Sequence, residues 1–136
     1  MEIFWNHWNN KALALLRIIF GFLLFWHGTQ KLFGYPPSEM QGALSGLLSA
    51  AGILEFFGGI MLFIGFFTRW TAFVLSGMMA VAYFMVFFSK SFLPIINQGE
   101  LAVLYCFVFL YLFFAGGGTW SIDSYLYKKG NKRLEE

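Results

Sequence analysis

The feature that most constrains this chain is the length of its apolar runs. Four stretches, residues 12–33, 47–67, 70–88 and 101–115, consist almost wholly of Leu, Ile, Val, Phe, Met, Ala and Gly. About 20 such residues in helical form cross the roughly 30 Å of a bilayer's hydrocarbon. Within lipid a helix lets one segment satisfy all of its own backbone groups. Each run is therefore read as a span. Charge content agrees: 12% of the 136 residues are charged, against about a quarter in soluble domains, too few to cover a water-soluble globule. A single Cys and three Pro exclude disulfide-rich and collagen-like classes. Cys106 sits inside the last apolar run and reads as a small buried hydrophobe. The expected fold class is all-α, an integral membrane four-helix bundle forming one domain over residues 1–136.

Arg17 interrupts the first run and no small-x-small site follows it, so this run reads as a retained span rather than a cleaved signal peptide. Tyr35-Pro36-Pro37 ends it, and residues 39–49 read as a short interfacial helix behind a Ser38 cap. Thr68-Arg69 makes a tight turn between the second and third spans, and residues 89–99 link the third to the fourth. Residues 124–136 form a charged tail, expected to be frayed or solvated. Lys11, Arg69, Lys128, Lys129, Lys132 and Arg133 fall on one side, and Lys31 and Lys90 on the other. Basic residues gather on the cytoplasmic side of a membrane protein, which places both termini there. Small residues permit close helix contact in lipid: Gly21 and Gly28 on span one, Gly58, Gly59 and Gly65 on span two, and Ala72, Ser76 and Ala80 on span three.

An ionisable side chain at the centre of a span costs about 2.5–3.5 kcal/mol on insertion scales, so it should face protein or water. At 100° per residue, Arg17, Gly21, Leu24, His27, Gly28 and Lys31 share a sector of span one, as do Glu55, Gly59, Leu62 and Arg69 on span two. At about 1.5 Å per residue, His27 lies about 22 Å from the cytoplasmic edge and Glu55 about 18 Å. Two polar clusters follow. An outer one holds His27 and Glu55, with Lys31 and Glu100 nearer the outer surface; an inner one holds Arg17, near Thr68, Arg69 and residues 120–123. Glu100 can also complete a helix cap with Asn97, and Arg17 can snorkel or pair with Asp123.

The sequence lacks a Cys pair, a His-rich cluster, a nucleotide-binding loop and a Ser/His/Asp set, so it assigns no enzyme class, no metal and no intrinsic cofactor. What remains is proton handling between His27 and Glu55, the imidazole titrating near neutral pH. Phe56, Phe57, Phe84, Phe87, Phe107, Tyr111 and Phe114 offer flat surfaces that suit a quinone or another lipophilic ring.

These residues resemble the DoxX family of small four-helix membrane proteins. The resemblance rests on Arg17-x-x-x-Gly21 with His27-Gly28-x-x-Lys31-Leu32-Phe33-Gly34, and on Glu55-x-x-Gly58-Gly59-x-x-Leu62-x-x-Gly65-x-x-Thr68-Arg69. It continues in Gly99-Glu100-Leu101, in residues 116–118 and in Trp120-Ser121-x-Asp123. It implies a multi-pass protein of the bacterial or archaeal plasma membrane, in a family named for a subunit of thiosulfate:quinone oxidoreductase. It also groups Arg17, His27, Lys31, Glu55 and Glu100 as ligand-binding candidates; catalytic residues are not assigned, and Glu55 and His27 are the candidates on the proton chemistry given above.

Three functions compete. The first is a quinone-linked redox subunit, which needs a redox partner because the chain has no electron carrier. The second is a scaffold that recruits cytoplasmic enzymes through the basic tail. The third is a carrier for a small metabolite with Arg17 as anion partner. The partners expected are the bilayer and a redox or cytoplasmic enzyme, with self-association open; a net charge of +2 gives no reason to expect nucleic acid.

Overall fold

A computed structural model describes residues 2–37 and 46–134, and the regular structure among them is helical, with no strand. Helix α1 spans Glu2–Phe33, α2 Gly46–Ile64 and α3 Thr68–Ala82, the last running into one π-helical turn at Tyr83–Phe87. A short α4 (Pro94–Asn97) precedes α5 (Glu100–Ala115) and α6 (Ile122–Leu134). Among the described residues three helices are long and apolar enough to cross a membrane: Trp8–Phe33, Gly46–Ile64 and Thr68–Phe87. The fourth expected span is a shorter apolar helix of 16 residues, about 24 Å long at 1.5 Å per residue. The interfacial helix expected over 39–49 lies outside the described residues except for its last four, which open α2.

Boundaries differ from the sequence expectation for identifiable reasons. α1 begins ten residues early because residues 2–20 contain neither Pro nor Gly to stop it. It ends where Gly34 turns to φ 67. The break between α2 and α3 comes before Thr68-Arg69, at Gly65 (φ 72) and Phe67 (φ 48), so those two residues open α3 rather than forming the turn. The tail is a helix, because Ser121 caps it: its Oγ accepts from the Ser124 N–H at 3.1 Å and donates to the Gly118 carbonyl at 3.0 Å.

Two antiparallel pairs build the bundle, α1 with α2 and α3 with α5. The α1–α2 register is fixed by glycine. A Cβ on Gly59 would stand 2.6 Å from Phe25 N and 2.9 Å from the Gly21 carbonyl, so the two backbones touch with no side chain between them. Such closeness suits lipid, where helices gain from packing rather than from expelling water. It sets Gly28 against Phe56 and brings Gly52 against Lys31, so His27 and Glu55 lie at matching heights. On the other pair, Ser76 Oγ donates to the Cys106 carbonyl at 2.8 Å. The shared core consists of Leu24, Leu62, Ala72, Leu75, Met79, Tyr105, Phe109 and Leu112.

Candidate functional site

The two expected polar clusters exist, at opposite ends of the α1–α2 pair, and they differ in kind. In the outer one, Glu55 is 4% exposed and its Oε1 accepts from Lys31 Nζ at 2.5 Å. Lys31, one helical turn beyond His27, reaches the carboxylate because Gly28 and Gly52 bring the helices together. Pairing two charges suits a low-dielectric interior, provided their remaining hydrogen-bonding capacity is also met. It is not met here: Glu55 Oε2 is buried and has no hydrogen-bond partner. His27 is half-buried beside this pair and near enough to feel both charges. Its ring meets Tyr105 edge to face, 6.0 Å between centroids, and Tyr105 meets Phe20 the same way at 5.4 Å.

Among the described residues no hydrogen bond joins His27 to Glu55; Lys31 takes that place. Glu100 lies in the first turn of α5, exposed, where its charge complements the helix's positive end. It forms no capping box, because Gly99 is the N-cap and Asn97 Oδ1 instead accepts from Gly99 N–H at 2.7 Å. Buried Asn97 further donates to the Ser91 carbonyl and to Tyr83 Oη, which donates to the Phe92 carbonyl at 2.6 Å. This network braces the π-helical turn. Nothing in the sequence pattern marked Tyr83.

The aromatic set expected around a ligand is mostly turned outward. Phe57, Phe84, Phe107, Tyr111 and Phe114 are each more than half exposed and lie on the apolar outer face of the helices. The rings beside the site are Tyr105, against His27, and Phe20, against Tyr105; Phe25 and Phe56 meet each other, 5.1 Å apart, within a separate group that includes Trp26, Phe33 and Phe57. Sequence could not separate the two groups, since lipid-facing and core Phe obey the same apolar rule.

The inner cluster is a set of helix caps made between elements. Arg17 is wholly buried, and its guanidinium donates to the carbonyls of Leu62, Phe63, Gly117 and Trp120. The first two belong to the last turn of α2, whose carbonyls have no partner within the helix. Asp123 does the converse for α3, accepting from Phe67 N–H at 2.9 Å and Thr68 N–H at 2.8 Å. Arg69 Nη1 closes α5 by donating to the carbonyls of Phe113 and Phe114 at 3.0 and 2.8 Å. Arg17 therefore binds carbonyls rather than Asp123 or headgroups, and the candidate residues divide. Lys31, Glu55 and His27 come together, while Arg17 and Glu100 stand apart from them.

A family model described as DoxX matches residues 12–87, which include Arg17, His27, Lys31 and Glu55. An uncharacterized protein of Haemophilus influenzae is 42% identical over 123 residues, covering 86% of this chain and 92% of the relative. No solved structure matches.

Proposed function

The chain belongs to the DoxX family of membrane proteins, and from that premise we propose that it is a quinone-linked redox subunit. In this reading it is a four-span protein of the plasma membrane with both termini cytoplasmic, and the Lys31–Glu55–His27 group is its ligand site. The observation that carries the reading is Glu55 Oε2, a buried acceptor with nothing donating to it. A buried polar atom without a partner costs about 1–3 kcal/mol, so a lipophilic ligand bearing a hydroxyl is favoured there over an aliphatic chain. A quinol fits on both counts, its ring suiting Tyr105 and Phe20. On oxidation it supplies two electrons, taken by a redox partner subunit, and two protons. Glu55 Oε2 accepts a hydroxyl hydrogen, Lys31 holds the carboxylate in place, and His27 carries protons toward the outer face.

The test is binding of a short-chain benzoquinol to the purified full-length chain. Wild type binds, and Glu55→Gln, which places a competing amide donor in the site, binds at least tenfold more weakly while remaining folded. Absence of wild-type binding refutes the reading, and unchanged affinity in Glu55→Gln removes Glu55 from it.

One observation favours the scaffold reading as an alternative. Helix α6 exposes Tyr125, Leu126 and Tyr127 beside Lys128, Lys129 and Lys132, a surface suited to an acidic cytoplasmic enzyme. Removing the residues after Tyr127 then abolishes partner capture, whereas Glu55→Gln leaves it intact.

A further inference from the structure

At the inner end a cleft of about 430 Å³ opens between α1, the loop after α5, and α6, lined in part by Asn10, Arg69, Gly117, Gly118, Thr119 and Lys128. Its chemistry is one-sided. Gly116 and Gly118 have φ of 88 and 74, whereas Gly117 between them is not in the positive region. Gly116 is extended at ψ −166, so it swings the chain away from the end of α5 and starts the loop that lines the cleft. Among the described residues no acceptor takes the N–H groups of Gly117, Gly118 or Thr119.

Side chains add to this surplus of donors. Arg69 uses only Nη1 on the carbonyls of α5; its Nε and Nη2 lie along Gly116, where a Cβ would stand 3.5 and 3.3 Å from them. Lys128 supplies a second cation. The carboxylate of Asp123 also lines the cleft, but both of its oxygens are already taken by the N–H groups of Phe67 and Thr68. The cleft thus sets two cations against one carboxylate, whose oxygens are already hydrogen-bonded, and adds three backbone N–H groups that have no acceptor.

We propose that this cleft binds a phosphoryl anion, held by Arg69, Lys128 and the N–H groups of Gly117–Thr119. The anion is either the phosphodiester of a lipid headgroup or free phosphate, which share the same recognising chemistry. Arg offers a fork matched to phosphate oxygens, Lys a point charge, and the backbone groups supply donors that need no side-chain ordering. The proposal is independent of the outer site.

The experiment uses the full-length chain in a neutral detergent. Native mass spectrometry compares dilauroyl phosphatidylglycerol with dilauroylglycerol, which has the same chains and no phosphoryl group; calorimetry follows inorganic phosphate alone. Lys128→Gln is the diagnostic variant because Lys128 is exposed and caps no helix, unlike Arg69. Lys132→Gln, one turn further along and outside the cleft, is the control. The expected result is at least tenfold preference for the phospholipid, lowered about fivefold by Lys128→Gln, as fits a basic residue acting near a membrane surface, and unaltered by Lys132→Gln. Competition by inorganic phosphate identifies free phosphate as the source, and lipid binding without competition identifies the headgroup. Binding of phosphate alone with the same Lys128 dependence also supports the cleft. The proposal is overturned if neither probe binds through its phosphoryl group, if Lys128→Gln has no effect, or if Lys132→Gln causes an equal loss, which marks diffuse attraction to a basic face.

Discussion

Replacing Arg17 by Met separates a structural arginine from a ligand-binding one. The side chain is wholly buried and donates to four carbonyls, on Leu62, Phe63, Gly117 and Trp120. Met has similar length and no donor, so the variant keeps much of the packing and deletes the bonds. The Leu62 carbonyl retains the N–H of Gly65 at 3.1 Å; the other three lose the donor that Arg17 supplies. Polar contacts between membrane helices average about 0.6 kcal/mol in mutant cycles, so four give a floor of roughly 2.4 kcal/mol. Bonds to a charged donor are worth about 1.5–3 kcal/mol each in soluble proteins, so even the low end of that range gives about 6 kcal/mol for four. We expect a loss of about 4 kcal/mol. Arg17→Lys, with a single ammonium unable to span four acceptors, loses about half of that. The assay is reversible unfolding of the purified protein in mixed micelles, followed by tryptophan fluorescence. A loss below about 1 kcal/mol for Arg17→Met refutes the capping argument and returns Arg17 to the pool of residues held for a ligand.

Two further outcomes follow from the outer half of the bundle. Glu55→Leu leaves Lys31 without its counter-charge. Breaking a fully buried pair costs about 3–5 kcal/mol, but the Lys31 side chain is 27% exposed and can turn its ammonium toward water, so the loss expected is about 1–3 kcal/mol. Lys31→Met with Glu55→Leu recovers most of it in the same unfolding assay, and failure to recover shows that Glu55 acts through other contacts. Gly59→Ala drives a methyl group into Phe25 N and the Gly21 carbonyl, which overpacking places at about 1–3 kcal/mol or more. Gly77→Ala is the control on α3, with nothing within 4 Å of the added carbon, and equal effects at the two positions refute the glycine-set register.

What sequence could reveal here depended on whether the partner of each residue was a side chain or a backbone group. The apolar runs and the 100° spacing located the helices and set His27, Lys31 and Glu55 on facing sides, because both follow from side-chain identity along one helix. The depth arithmetic then brought His27 and Glu55 level, which the contact of Gly28 with Phe56 makes concrete. It could not choose between His27 and Lys31 as the partner of Glu55, because that choice depends on how closely α1 and α2 approach. Arg17 and Asp123 show the stronger limit. Their positions suggested an ion pair, yet each binds main-chain groups exposed where another helix begins or ends. Every residue has the same carbonyl and almost every one the same N–H, so such partners leave no mark in the sequence. The same reasoning explains why the inner cleft leaves no signal in the sequence: three of its donors are backbone N–H groups of Gly117, Gly118 and Thr119, which become visible only once the loop is placed and the absence of acceptors is known. In a bundle with few charged side chains, helix ends and glycine turns supply much of the available polarity. The charged residues inside it, Arg17 and Asp123 among them, have in large part been spent on satisfying those ends. Glu55 is the exception, since one of its oxygens is buried with nothing to satisfy, and that is the physical ground for placing the ligand at Glu55 rather than at Arg17.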